Sequence, residues 1–207
     1  MNKIQTLLKD NEQGIKLDIA CGASKQPGFV GLDMQDLPGV DIVWDLTRYP
    51  WKPLPDECAS IAVGSHIVEH IPPDMGDGRV EPLINLLLKK KLITAKEVWN
   101  NIGDIKSAPR FIRFMDEVWR VLKPDGEFMM ALPYAPSPGF FWDPTHCNPC
   151  NEYTWSYFDP LDKMTGGIFY RFYRPKPWKI KINNFDVNQG MMEVVLVKRR
   201  LDKSYGR

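Results

Sequence analysis

Short apolar runs, each about as long as a β-strand, recur along the chain and end at turn-forming or acidic residues. An apolar run of this kind, bounded by glycine, proline or aspartate, is typical of a buried strand in a parallel sheet. The predicted strands are IKLDIA (15–20), FVGLD (29–33), VDIVWD (40–45), SIAVGS (60–65) and GEFMMALPY (126–134).

A helical pattern precedes the fifth of these runs. Its apolar positions recur at intervals of three and four residues, namely Phe111, Phe114, Met115, Val118 and Leu122. Proline and glycine in the segment 123–126 predict the end of this helix. Strands that alternate with helical pattern indicate an α/β fold, a Rossmann-like, mostly parallel sheet that binds ligands at the carboxyl ends of its strands.

Three further segments complete the predicted organisation. Residues 76–109, in which Thr94 and Glu97 have capping-box spacing, predict a helical insertion that either covers the substrate or packs as an appendage. The stretch 135–165, rich in proline and aromatic residues, is too long for a simple connection and predicts an acceptor-side loop. Near the end, GGIFYRFYR (166–174) and MMEVVLVKRR (191–200) have strand composition and predict an antiparallel pair at the sheet edge.

Length, charge and cysteine content narrow the class of protein. The 207 residues fit one domain over 1–207, and a formal net charge of +1 gives no support for a polyanionic partner such as nucleic acid. The sequence has neither a signal-peptide pattern nor an apolar run long enough to cross a membrane, so we expect a cytoplasmic protein. Its four cysteines favour reduced thiols over a disulfide framework.

The segment HIVEH (66–70) permits a zinc interpretation. On a helix, His66 and His70 would share one face with Glu69 beside them. The sequence motif H-x-x-E-H also occurs in one class of zinc proteases. Pro72 and Pro73 shorten that helix, and the sequence identifies no further ligand, so we expect no metal here. The alternative to a zinc site is that these side chains serve only as hydrogen-bond partners.

In combination, these segments resemble a known family. The order LDIACG, GFVGLD, DIVWDLTRYPW, SHIVEHI and FMDEVWRVLKPDGEF is similar to class I S-adenosylmethionine-dependent methyltransferases over residues 15–134. The connection between the first two strands is shorter than a parallel crossover usually is, so we expect a truncated first helix. Some quinone-pathway O-methyltransferases that this sequence resembles bind a divalent ion through E-x-x-E-H at the position of HIVEH, where this chain has His66 instead of the first glutamate.

The resemblance implies S-adenosylmethionine as the cofactor and a set of residues around it. Gly22 lets the backbone approach the ligand, Asp18 orients the loop or the cofactor's ammonium, and Asp33 accepts the ribose hydroxyls. Asp45 accepts from the adenine amino group, and Leu46 packs on the ring; for each aspartate the alternative is a loop cap. The full predicted cofactor set is Asp18, Ala20, Cys21, Gly22, Leu32, Asp33, Met34, Asp45, Leu46, Ser65 and His66.

The segment DPTH (143–146) follows the fifth strand and is similar to a motif in relatives of this methyltransferase group. His146 is therefore a candidate general base with Asp143 orienting its ring; the alternative is that both tie down the loop. The expected reaction is methyl transfer to oxygen or nitrogen of a small-molecule or glycan-type acceptor. Two rival functions are a metal-dependent hydrolase using HIVEH and a non-catalytic cofactor-binding protein of the same fold.

Overall fold

The protein is described from a computed structural model that covers residues 6–8, 11, 13–73, 87–92, 94, 109–202 and 205. Within these residues the strands are β1 (Ile15–Ile19), β2 (Val30–Asp33), β3 (Ile42–Val43), β4 (Ala59–Ser65), β5 (Leu122–Pro133), β6 (Trp178–Asp186) and β7 (Met191–Lys198). The helices are α1 (Arg110–Val121), α2 (Pro138–Trp142) and α3 (Tyr170–Tyr173), with 3₁₀ turns at Val68–His70 and Thr154–Tyr157.

All seven strands belong to one sheet in the order β3-β2-β1-β4-β5-β7-β6. Neighbours from β3 to β5 run parallel, and β7 and β6 are antiparallel at the far edge. This sheet, with helices packed on it, confirms the predicted Rossmann-like fold with an antiparallel edge. Because parallel strands end on the same side, the ends of β1, β2, β4 and β5 form one crevice.

The apolar pattern places the core where the sequence predicts it. Leu17 and Ile19 in β1, Leu32 in β2 and Phe128 in β5 are fully buried. Helix α1 packs on this sheet because its apolar positions repeat with helical period, and Phe114 contacts Phe128 with a ring-centroid distance of 6.4 Å.

The predicted end of α1 is wrong by one residue. Leu122 is extended and pairs with Ala59 of β4, so it belongs to β5 rather than to the helix. Pro124 cannot donate the backbone hydrogen bond that a longer helix needs. The register of β5 against β4 then shifts around 123–126, which lets β5 begin four residues before the predicted strand 126–134.

The connection from β1 to β2 contains turns but no helix over residues 20–29. Two carboxylates replace the packing that a crossover helix would provide. Asp18 accepts the N–H of Gln26 at 2.7 Å, and Asp41 accepts the N–H of Gly31 at 2.9 Å while pairing with Lys25 at 2.7 Å. The expected truncated helix is therefore absent, and side-chain bonds to the backbone close this short crossover.

Two predicted strands differ from the observed ones. Strand β3 has only Ile42 and Val43 of the predicted 40–45; Trp44 and Asp45 lie outside the strand, and the chain turns at Leu46. The segment 166–174 is not a strand: Gly166 and Gly167 have φ of 61° and 72°, and the ring of Phe169 stacks on Tyr157 at 4.7 Å. The partner of β7 is instead β6, whose residues pair antiparallel with it from Trp178 to Asp186.

Most of the predicted helical insertion at 76–109 lies outside the described residues. The predicted loop 135–165 is described, and it contains α2 and the 3₁₀ turn at Thr154–Tyr157. The assignment of 1–207 to a single domain stays a prediction. Among the described residues no helix has both the length and the apolar content needed to cross a bilayer.

Candidate functional site

The loop after β1 presents backbone to the crevice. Ala20 and Gly22 have φ of 59° and 53°, and the N–H of Ala20 donates to the Leu32 carbonyl at 2.7 Å. A Cβ added at Gly22 would meet no atom within 4 Å, so this glycine borders open space. A ligand can therefore approach the backbone closely at Gly22.

Asp33 joins the end of β2 to this loop. Its Oδ2 accepts the N–H of Gly22, and its Oδ1 accepts the N–H of Gln35, each at 2.9 Å. Asp33 is 8% exposed, and each carboxylate oxygen keeps a lone pair for a further donor. The carboxylate thus fixes the glycine loop and remains able to accept hydrogen bonds from a ligand.

Two neighbouring groups share this end of the sheet. Asp18 is buried and holds Gln26, and burial raises the pKa of its carboxyl, against the opposing effects of the Gln26 N–H and Lys25. Desolvation, with added repulsion from Asp18 and Asp33, raises the pKa of the Cys21 thiol to about 11. Cys21 is therefore a neutral thiol at physiological pH.

The loop after β3 is held by hydrogen bonds between its own residues. Asp45 Oδ1 accepts the N–H and the hydroxyl of Thr47 at 2.9 and 2.7 Å, and Arg48 lies 3.1 Å from Oδ2. Desolvation opposes ionisation of Asp45, but these hydrogen bonds and the charge of Arg48 outweigh it and lower the pKa. Leu46 is buried in the core, where its carbonyl accepts from the Trp51 indole at 3.2 Å.

The chain leaves β4 through a constrained residue. His66 has φ of 54°, a conformation uncommon for a residue with a Cβ, and its N–H donates to the Ala131 carbonyl at 2.8 Å. The HIVEH segment then forms only the 3₁₀ turn Val68–His70. His66 Nδ1 lies 3.1 Å from Oε1 of Glu69, whose side chain is fully buried.

The DPTH segment lies beside this turn. His146 Nδ1 lies 2.7 Å from the Phe140 carbonyl, so this nitrogen carries the proton and donates it. Asp143 Oδ2 is 3.9 Å from His146 Nε2, too far for a hydrogen bond. The Phe140 carbonyl, rather than Asp143 as predicted, orients the ring, while Asp143 Oδ1 accepts the hydroxyl and N–H of Thr145.

Those hydrogen bonds to Asp143 have an electrostatic consequence. The Thr145 hydroxyl and N–H, in that order, hold the pKa of the Asp143 carboxyl below its ordinary value. Asp143 is therefore an ionised carboxylate at physiological pH, and it places a negative charge next to His146.

A cavity of about 670 Å³ opens at the carboxyl ends of β4 and β5. The three histidines of the chain, Asp143 and the exposed indole of Trp142 line it, together with residues of β5 and the β6–β7 turn. Its lining residues are His66, His70, Pro133, Gly139, Trp142, Asp143, Pro144, His146, Gln189, Gly190 and Met191.

Known proteins resemble this chain in structure but not in sequence. No family model matches the chain, and no curated protein matches it. A mutant 16S rRNA (adenine(1408)-N(1))-methyltransferase from Catenulisporales acidiphilia, solved with cosubstrate SAM, aligns over 98% of this chain and 94% of its own with 10% identity and a TM-score of 0.50. A SAM dependent methyltransferase from Archaeoglobus fulgidus aligns over 95% of both chains with 15% identity and a TM-score of 0.49.

The chain has the class I methyltransferase fold. Within this fold, the structure brings Asp18, Ala20, Cys21, Gly22 and Asp33 together at the ends of β1 and β2. Met34 beside them is 63% exposed, whereas Leu32 and Leu46 are buried in the core. Ser65 is exposed at the end of β4, next to His66.

One cluster of this methyltransferase fold is absent from the sequence-based predictions. Glu69, His70 and His146 each place a potential ligand atom within 4.8 Å of the others. The sheet topology could have predicted this cluster, because HIVEH follows β4, DPTH follows β5, and these two strands are parallel neighbours. Cys147 and Cys150 do not join this cluster; Cys147 Sγ donates to the Ile71 carbonyl at 3.1 Å, and Cys150 is buried.

Proposed function

We propose that this protein is an S-adenosylmethionine-dependent methyltransferase that acts on oxygen or nitrogen of a small-molecule or glycan-type acceptor. The observation that carries the proposal is the pair Gly22 and Asp33. An open backbone approach and a buried carboxylate with free lone pairs meet at the ends of adjacent parallel strands. In dinucleotide-binding sheets, an acidic residue at the end of the second strand accepts hydrogen bonds from the ribose hydroxyls.

The residues at these strand ends fit the groups of the cofactor. Asp33 would accept the ribose hydroxyls, the backbone at Gly22 would border the methionine end, and Asp18 keeps the loop between them in place. Asp45 would accept from the adenine amino group through Oδ2, which lies 3.1 Å from the exposed side chain of Arg48 and keeps a lone pair for a further donor. The positive charge of the cofactor's sulfonium would also be attracted to the adjoining carboxylates.

The acceptor would occupy the cavity lined by Trp142, Asp143 and His146. The indole of Trp142 is 82% exposed, and such a surface is suited to packing against a sugar or a flat ring. His146 donates from Nδ1 to Phe140, so its Nε2 carries the lone pair in the neutral ring. Ionised Asp143 nearby would stabilise the imidazolium that forms when Nε2 accepts a proton.

The chemistry assigned to the chain follows from this geometry. S-adenosylmethionine supplies a methyl group bonded to a sulfonium, which leaves as a neutral thioether. Positioning is the larger contribution of the protein, because in-line displacement requires the acceptor atom at attack distance. Where the acceptor is a hydroxyl, its proton would pass to His146 Nε2 as the new oxygen–carbon bond forms; a protonated amine would lose its proton to Nε2 before attack, because nitrogen needs its lone pair to bond to the methyl carbon.

Methyl transfer and its two rivals predict different measurements. The purified chain is incubated with S-adenosylmethionine and a panel of phenols, sugars, amines and carboxylates, and released S-adenosylhomocysteine is measured. Acceptor-dependent release supports methyl transfer. Tight S-adenosylhomocysteine binding without release for any acceptor favours a binding protein, and chelator-sensitive cleavage of peptide or ester substrates without cofactor binding favours the hydrolase.

A further inference from the structure

Three side chains from two separate loops converge at the wall of the acceptor cavity. Glu69 and His70 belong to the turn after β4, and His146 to the loop after β5. One ligand atom from each lies within 4.8 Å of the other two. The imidazoles of His70 and His146 meet edge to face with a centroid distance of 4.6 Å.

The hydrogen bonds of His70 determine its tautomer. The only proton of the Thr145 hydroxyl is donated to Asp143 Oδ1 at 2.7 Å. The 2.9 Å contact between Thr145 Oγ1 and His70 Nδ1 therefore requires that Nδ1 be the donor. In the neutral ring this leaves the lone pair on Nε2.

His146 has the same arrangement. Its Nδ1 donates to the carbonyl of Phe140 at 2.7 Å, which leaves the lone pair on Nε2. Metal-binding histidines in proteins characteristically donate their second ring N–H to a carbonyl, carboxylate or other oxygen, which fixes both ring orientation and tautomer. Both histidines of this cluster meet that condition without any ion present.

Glu69 supplies an oxygen that has no partner. Its side chain is fully buried; Oε1 is paired with His66 Nδ1 at 3.1 Å, whereas Oε2 has no hydrogen-bond partner among the described residues. Leaving a buried carboxylate oxygen without a hydrogen-bond partner destabilises the folded protein. A cation coordinated by the Glu69 carboxylate through Oε2 would remove that destabilisation.

We propose that Glu69, His70 and His146 bind one divalent transition-metal ion of the zinc type. Two imidazole nitrogens and one carboxylate oxygen form a three-residue set that leaves one coordination position open. Imidazole ligands favour zinc, cobalt, nickel or iron over magnesium and calcium, which prefer oxygen. Ligand atoms around tetrahedral zinc lie roughly 3.3 Å apart, so closure needs side-chain movements on the order of 1 Å.

The open position would face the acceptor cavity, which His70 and His146 line. This inference adds to the proposed function: an acceptor hydroxyl bound to the ion would lose its proton more readily, as metal-bound water does. His146 would then act as a ligand, and the ion would take over the role assigned to its Nε2. Metal binding and cofactor binding remain separately measurable, because the cofactor residues lie at β1 and β2.

The test is a metal titration of the intact chain after treatment with a chelator. Zinc is followed by calorimetry and cobalt by its visible absorption. We expect one ion per chain, bound by nitrogen and oxygen, with affinity at least 100-fold weaker in His70→Ala and in Glu69→Gln. Thr145→Val keeps all three ligands but removes the acceptor for His70 Nδ1, and it should weaken binding by roughly 10- to 100-fold.

Cys147→Ser is the matched control, because it changes a potential soft ligand adjacent to His146 and should leave affinity unchanged. Circular dichroism and S-adenosylhomocysteine titration of each variant report on folding and on the cofactor site independently of metal. The proposal is overturned if the folded wild-type chain binds neither ion. It is also overturned if binding survives His70→Ala and Glu69→Gln, or if cobalt gives the intense absorption of thiolate ligation that Cys147→Ser abolishes.

Discussion

Asp33 Oδ2 and the backbone nitrogen of Gly22 lie 2.9 Å apart, which ties the end of β2 to the glycine loop after β1. The bond spans the short crossover that has turns in place of a helix. One carboxylate therefore holds the loop and faces the open space beside Gly22. Cofactor affinity should depend on both residues of this pair.

Replacing Asp33 with alanine should weaken binding of S-adenosylhomocysteine by roughly ten- to over a hundredfold. The variant removes charge-assisted hydrogen bonds to the ribose hydroxyls, each worth about 1.5–3 kcal/mol. Isothermal titration calorimetry measures the change. Asp36→Ala, which removes an exposed carboxylate from the following loop, should bind normally. Unchanged affinity in folded Asp33→Ala would refute the role given to the end of β2.

Gly22→Ala should lower both the stability of the protein and its affinity for the cofactor. The loss of affinity should exceed that of a control variant with the same loss of stability. Alanine keeps the N–H that donates to Asp33, but it projects a methyl group into the open space at Gly22. The positive φ of 53° adds strain of about 1–2 kcal/mol. Gly28→Ala is matched, because Gly28 also has positive φ, 78°, and no atom within 4 Å of an added Cβ.

These two glycine variants should melt at similarly lowered temperatures, whereas only Gly22→Ala should bind S-adenosylhomocysteine weakly. Differential scanning fluorimetry and calorimetry provide the two readouts. Equal affinities in both variants would mean that the ligand does not approach the backbone at Gly22.

His146→Gln should lower turnover by something like 10²- to 10⁴-fold once an acceptor is found. Glutamine retains an amide that can donate to the Phe140 carbonyl, so cofactor affinity and melting temperature should change little. Asp143→Asn should have a smaller effect, since Asp143 Oδ2 is 3.9 Å from His146 Nε2 and does not hold the ring. Turnover is measured as S-adenosylhomocysteine released per folded molecule.

A different result would reassign the histidine. If His146→Gln loses stability and cofactor binding together while turnover per folded molecule is intact, His146 is structural. Comparing zinc-loaded and chelator-treated enzyme also separates its two catalytic assignments, because a base acts without an ion and a ligand acts through it.

Asp116→Asn should stabilise the protein at pH 7.5 but not at pH 4. Burial raises the pKa of Asp116 to about 6, while the backbone N–H of Lys176 and its charge act in the opposite direction. The folded chain therefore holds this proton more tightly than the unfolded chain, and stability falls as pH rises from about 4 to about 6. Asparagine removes that loss and can still accept the Lys176 N–H.

The expected gain is up to about 3 kcal/mol above pH 6, from the difference between the two pKa values. Urea unfolding of wild type and variant at pH 4 and 7.5 gives the difference at each pH. The stability difference between variant and wild type should be larger at pH 7.5 than at pH 4. A gain of equal size at both pH values would exclude ionisation of Asp116 as its cause.

Local sequence determined the parallel half of the sheet, because buried strands produce apolar runs whose ends are marked by turn residues. Ile15–Ile19, Val30–Asp33 and Ala59–Ser65 lie within or overlap the predicted segments. The edge was harder to predict. Residues 166–174 and 178–186 both have apolar and aromatic residues, but the first segment begins with two glycines in the left-handed region and continues into helix α3, so it is not a strand.

The sequence by itself determined that Asp18, Gly22 and Asp33 lie at the ends of successive strands, since apolar runs and the turn residues after them are encoded locally. Only the tertiary structure decided that His146 joins Glu69 and His70. HIVEH predicts that His66 and His70 share one face with Glu69; His66 does contact Glu69 at 3.1 Å, but His146 is the residue that lies with Glu69 and His70 within 4.8 Å. The pairing of β4 with β5 brings the two loops together, and no local pattern records a contact between residues so distant in the chain.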